Sequence, residues 1–218
     1  MSRRTVPHGQ QTRRDPATGA SDATHLLASF KYELSRLDAL SLVQRRITSG
    51  ACAQITDDQY ADLKHHIAAR YSISHADILV VGSAKLGFSI APRKRYRAFG
   101  EDSDIDVAIV STSLYNQIWR DLAGIQISDP TFNWADRSSF ALYHLKGWVR
   151  PDKLPHSPGL IRRTEWFEFF RELTSAGTCG PFKISAGIYY DLTFLEMYQE
   201  RAVQMCMESL QDEKGSLS

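Results

Sequence analysis

Two short apolar runs constrain the architecture of this chain more than anything else in it. The first, Ile78-Leu79-Val80-Val81, is bounded by Asp77 and by Gly82-Ser83, and a continuous β-branched run of that length reads as a strand covered on both faces. The second, Asp104 to Ser111 (DIDVAIVS), alternates polar and apolar residues and reads as a strand with one face in the core. Between them, Ala84 to Phe88 reads as a short helix opening directly off the first strand. Residues 90–103 (IAPRKRYRAFGEDS) follow as a polar, basic loop. A third strand is expected from Phe182 to Tyr190, after the turn Gly177–Pro181.

The remainder is helical in pattern. Leu27, Phe30, Leu34, Leu37 and Leu40 recur at three- and four-residue steps from about Thr24, with Gly50 as a stop. Thr56-Asp57-Asp58-Gln59 is a capping-box start, because the Thr hydroxyl can take an exposed amide while Gln returns the bond; that helix should run to about Arg70. Further helices are expected over Leu114–Ile127, Trp134–Trp148 and Leu160–Leu173. The segment Arg150–Pro155 between the last two is expected not to be helical, because each Pro biases its predecessor to extended geometry. A final helix carries Leu192, Leu195, Val203, Cys206 and Leu210 on one stripe. Residues 1–23, with Arg3, Arg4, Arg13 and Arg14, lack periodicity and read as a flexible tail. Residues 24–211 read as one domain, with N-terminal helices over 24–70 and a core over 76–211, and residues 212–218 as a fraying end.

Composition removes several classes of function. Of 218 residues, 43% are hydrophobic and 23% charged, which excludes wholesale disorder. No unbroken aliphatic run is longer than Ile78–Val81, far short of the ~20 residues of a membrane-spanning helix, and no apolar block follows the N-terminal arginines as a secretory signal would require. We therefore expect a cytoplasmic protein with no membrane partner. Twenty-six basic against twenty-five acidic residues leave a net charge of +1, against an all-over positive field for DNA. Cys52, Cys179 and Cys206 are odd in number and widely spaced, the pattern of reduced thiols rather than of a zinc site or disulfide scaffold. The adjacent His65-His66 lacks metal-ligand spacing.

The chemistry is concentrated between Asp77 and Ser111. Successive side chains on a strand point to opposite faces, so Asp104 and Asp106 share one face, about 6.6 Å apart at ~3.3 Å per residue, while Ile105, Val107 and Ile109 point into the core. Two neighbouring carboxylates repel and raise each other's pKa, an arrangement that folding alone does not favour. A divalent cation removes that penalty, and two Mg²⁺ ions ~3.5–4 Å apart can clamp the attacking and leaving oxygens of a displacement at phosphorus. Gly82-Ser83, at the mouth of the short helix, can aim main-chain amides and a hydroxyl at an anion, and Gly permits close approach.

With a hydrophobic strand, Gly-Ser, a gap and then Asp-hydrophobic-Asp-hydrophobic, carried here by ILVV-Gly82-Ser83 and Ser103-Asp104-Ile105-Asp106-Val107, the chain resembles the DNA polymerase β-like nucleotidyltransferase superfamily. The resemblance implies an α+β fold with a small mixed β-sheet flanked by helices. It implies Mg²⁺ or Mn²⁺ on Asp104 and Asp106, and a nucleoside triphosphate held at Gly82 and Ser83. A nucleoside monophosphate would then pass to an acceptor hydroxyl on a protein or an RNA. The small size suits the minimal members found in bacterial toxin–antitoxin and phage-defence systems. The gap between Ser83 and Asp104 is longer than is usual in the superfamily, and the extra Ile90–Asp102 loop carries Arg93, Lys94, Arg95 and Arg97, which suit a triphosphate or an acceptor nucleic acid as well as they suit solvent.

The superfamily places a third carboxylate, commonly the base for the acceptor hydroxyl, on a neighbouring strand. Asp191 is the candidate, since parity sets it with Ser185 and Gly187; the same residue is also placed to cap the last helix. If it only caps, a catalytically weak nucleotide- or RNA-binding regulatory module of the same fold becomes the alternative. Lys85 is a candidate phosphate contact. Trp148 reads as a buried helix-end residue, Arg45-Arg46 and Arg162-Arg163 as polar helix faces, and Asp102 as a turn residue. A glycosyltransferase would also use Asp-x-Asp with Mn²⁺, but the long doubly wound α/β pattern it needs is missing from the sequence.

Overall fold

A computed structural model of the chain describes the backbone of residues 16–215 and the side chains of residues 23–212. Helix α1 runs Pro16–Leu34, so the chain is helical before Thr24; residues 1–15 of the expected tail lie outside the described residues. The single helix expected from Thr24 to Gly50 is broken. Asp38 intervenes as an N-cap, its carboxylate accepting from the Ser41 amide at 2.8 Å and the Ser41 hydroxyl at 2.6 Å, and it starts a separate helix α2, Ala39–Val43. One wider π-type turn, Gln44–Thr48, follows. Helix α3, Asp57–Tyr71, has the expected capping box: Thr56 Oγ1 accepts from the Gln59 amide at 3.2 Å, and Gln59 Oε1 accepts from the Thr56 amide at 3.0 Å.

The strands are β1 (Ile78–Val81), β2 (Ile105–Val110), β3 (Trp148–Val149) and β4 (Ile184–Tyr189). The remaining helices are α4 (Gly82–Leu86), α5 (Thr112–Ser128), α6 (Arg137–Leu145), α7 (Ile161–Ser175) and α8 (Leu192–Gly215). The sheet order is β1-β2-β4-β3, with β2 antiparallel to β1, parallel to β4, and β4 antiparallel to β3. This is the mixed α+β architecture that the sequence predicts. Strand β3 has no counterpart in the sequence pattern. The expected Trp134–Trp148 helix stops at Leu145, and Gly147, at φ +65°, turns the chain so that Trp148 pairs with Tyr189.

Both sheet faces are packed, which explains the unbroken apolar run in β1. One face carries Ile78, Val80, Ile105, Val107, Ile109, Ile184 and Ile188 against α3, α5 and α7. The other carries Val81, Ala108 and Tyr189 against α1, α2, α4 and α8. The helical cover on that second face leaves the start of β2 open: Ala108 is fully buried, whereas Asp106 is exposed. At the β1 edge the Tyr60 hydroxyl donates to the Ile78 carbonyl at 3.4 Å and accepts from the Val80 amide at 3.2 Å, so the strand's outer main chain is not left bare. Among the described residues no helix is long and apolar enough to cross a membrane.

Candidate active site

The position of the acidic pair follows from strand register. Asp106 is the register partner of Val81 on β1 and of Ser185 on β4, so the residue preceding Gly82 lies directly beside it. Gly82 adopts φ +66°, and a Cβ on it would come to 3.0 Å from Asp106 Oδ2. The missing side chain therefore keeps one edge of the Asp106 carboxylate clear at the point where the chain enters α4. No side chain caps the first turn of α4.

Asp106 Oδ1 accepts from the Ser185 hydroxyl at 3.1 Å, and Asp104 Oδ2 lies 3.5 Å from Lys183 Nζ. Asp106 is exposed by residue surface area, yet the protein around its carboxylate is dense enough to desolvate it. Desolvation is the main cause of a pKa raised above the ordinary aspartate value, and the Asp104 charge adds to it; the Ser185 hydrogen bond and the Lys183 and Lys94 ammonium groups act the other way. Asp106 thus stands where ionisation is disfavoured and where added positive charge would restore it.

The extra loop is ordered rather than slack. Phe88 bridges Ala98, the Ser89 amide donates to the Arg97 carbonyl at 2.8 Å, and the Tyr96 amide donates to the Ser89 carbonyl at 2.7 Å. Tyr96 packs against Phe88 at φ +64°, while Arg93, Lys94 and Arg97 are exposed. Lys94 is the loop cation whose charge reaches Asp106.

Two of the sequence-predicted site residues are not brought to the pair. Lys85 is 5% exposed and donates to the Gly50 carbonyl at 2.5 Å, and burial lowers its pKa. Its ammonium satisfies main chain, so it does not offer a phosphate contact. Asp191 shares sequence parity with Ser185, but it lies two residues past the end of β4, where the chain bends into α8. There its Oδ1 accepts from the Phe194 amide at 3.1 Å and caps α8. The register position beside Asp106 on β4 is held by Ser185. Sequence reasoning does not single out Lys183; its parity with Ser185 is visible in the sequence, whereas the register that brings it to Asp104 is not.

The weaker candidates find structural roles. Trp148 stacks on Tyr189, centroids 5.4 Å apart, in the second core. Arg46 Nε bonds Glu33 at 2.6 Å with Arg45 alongside at 3.3 Å, and Arg162 pairs with Asp121 at 2.7 Å. The Arg163 Nε donates to the Leu154 carbonyl at 3.1 Å. Asp102 sits exposed in its turn. All three cysteines are free thiols.

The donor set near the start of β2 is oxygen-only: two carboxylates and the Ser185 hydroxyl. That suits Mg²⁺, which is commonly held by one or two carboxylates with water and substrate phosphate completing its shell. Among the described residues no group of three or more His, Cys, Asp or Glu side chains is gathered to hold a metal. Comparisons with protein-family models, with curated proteins and with solved structures find no match.

Gly82→Ala tests the close approach. The variant should lose ~1–2 kcal/mol of stability from a left-handed residue with a Cβ. The urea unfolding midpoint reads this loss, and an unchanged midpoint would mean that the added Cβ is accommodated without strain.

Proposed function

We propose that the chain is a metal-dependent nucleotidyltransferase, moving a nucleoside monophosphate from a nucleoside triphosphate to an acceptor hydroxyl on a protein or an RNA. The observation that carries this reading is the register of β1 on β2, which sets the Gly82 turn against the Asp106 carboxylate with no side chain between them. Asp104 and Asp106 would hold the cation, and Ser185 fixes the orientation of Asp106 through its hydrogen bond. Gly82 and Ser83 meet the triphosphate with main chain and hydroxyl. When bound, Mg²⁺ or Mn²⁺ supplies Lewis-acid polarisation at phosphorus and offsets charge on the leaving pyrophosphate. The acceptor oxygen bonds to the α-phosphorus, the bridging α–β P–O bond breaks, and the hydroxyl proton leaves to solvent at this open face. Rate acceleration of this kind comes mainly from positioning and charge neutralisation.

A second reading, a nucleotide-binding module with little turnover, is favoured by one observation: Asp191 is a helix cap and Ser185 stands beside Asp106. One experiment separates the two. The protein is incubated with each α-³²P-labelled nucleoside triphosphate, Mg²⁺ or Mn²⁺, and protein or RNA acceptors, beside an Asp104→Ala/Asp106→Ala control. Label transfer above the control supports the enzyme. Nucleotide binding by calorimetry without transfer supports the module, and the absence of both overturns both.

A further inference from the structure

We propose that a single divalent cation completes this site and that the Lys183 ammonium stands in for a second, an inference that rests on the nucleotidyltransferase reading above. Strand β4 runs parallel beside β2, and the residue it sets opposite Asp106 is the neutral Ser185. Two residues earlier on the same face, Lys183 reaches to 3.5 Å from Asp104 Oδ2. The strand adjoining the acidic pair thus contributes a hydroxyl and an ammonium, and no carboxylate.

Charge counting then limits the metal. Two carboxylates neutralise one divalent cation. A second would have the polyphosphate as its only anionic ligand, beside the Lys183 charge, since no third acidic group joins the pair among the described residues. The ammonium can neutralise the polyphosphate in its place, as a compact charge on a flexible stem. Folding does not explain why Lys183 is there. Its side chain is 68% exposed and that of Asp104 41% exposed, and surface pairs of this kind add little to stability. Such a pair opens easily, so Lys183 can release Asp104 when the cation arrives and turn to the phosphates.

The test counts metal without relying on turnover. The full chain is mixed with an equimolar non-hydrolysable α,β-methylene nucleoside triphosphate, chosen as the tightest binder of the four bases, and bound Mn²⁺ is counted from the electron paramagnetic resonance signal of free Mn²⁺. One Mn²⁺ per chain is expected, and two in the Lys183→Asp variant. Two in the parent chain would overturn the inference while leaving the nucleotidyltransferase reading standing. Failure of the analogue to bind the chain in the presence of Mn²⁺, read by calorimetry, would overturn both.

Lys183→Met supplies an independent readout. Mn²⁺ alone should bind it more tightly than the parent, because the competitor for Asp104 is gone, while the analogue should bind about tenfold more weakly through loss of a charge-assisted phosphate contact. A Lys183 with a merely structural role would shift neither affinity, and that outcome also overturns the proposal.

Discussion

In metal-free buffer the Asp106→Asn variant is expected to melt above the parent chain, by ~1–2 °C, and with Mg²⁺ present to lose the proposed nucleotidyl transfer by ~10³-fold or more. The opposite signs have one cause. The folded protein holds the Asp106 carboxyl at a raised pKa, chiefly by desolvation and then by Asp104. A carboxyl of that kind stabilises the fold fully only below its unfolded value of 3.8, and the contribution is lost as pH rises through the folded value. At neutral pH the ionised group opposes folding, and the amide isostere does not. The melting difference between variant and parent should therefore open as pH is raised from ~4 to 7. The gain is kept small because the carboxylate is open to solvent. Added Mg²⁺ should raise the melting temperature of the parent and not that of the variant, since ligand that binds only the folded state stabilises it by mass action. Differential scanning fluorimetry with and without Mg²⁺ across this pH range reads all of these effects. A variant that melts below the parent at pH 7 in EDTA would mean that Asp106 is a structural residue.

Gly147→Ala should lose about 3–5 kcal/mol of stability, a large share of the total for a chain of this size, read as a fall in the urea unfolding midpoint. Gly147 sits at φ +65°, and a Cβ there would overlap the Phe194 ring. Neither partner has an easy escape. The Gly147 carbonyl accepts from the Tyr190 amide at 2.9 Å at the end of β4, and Phe194 is held in the first turn of α8 beneath the Asp191 cap. Moving either would strain the join between β3, β4 and the last helix. The control is the same change elsewhere. Gly124 lies inside α5, where an added methyl group would meet nothing within 4 Å, so Gly124→Ala should stabilise by ~0.5–1 kcal/mol. A pair of glycine substitutions with opposite signs excludes a generic response to added bulk.

The legible part of the sequence is whatever repeats within a few residues. The period-two pattern of β2 assigns Asp104 and Asp106 to one face and Ile105, Val107 and Ile109 to the other, and those three isoleucine and valine side chains are buried at 0%, 3% and 0% exposure. The Thr56–Gln59 box can be read because both of its bonds close within three residues. The break at Asp38 escapes a periodicity reading because its capping side chain competes locally with a helical stripe that otherwise continues through it.

Parity determined which face a residue occupies; only the packed sheet decided how far along that face it stands. Asp191 and Ser185 share parity in the sequence, yet the strand ends at Tyr189 and the bend that follows turns Asp191 onto α8; it is pairing between β2 and β4 that gives Ser185 to Asp106 and Lys183 to Asp104. Lys85 has the same logic in a helix: two residues beyond Ser83, it is turned by the packing of α4 onto the Gly50 carbonyl. Local chemistry sets directions along a single chain. Distances between segments come from a register that the whole core selects, because a slip would carry every buried side chain of the strand out of its place.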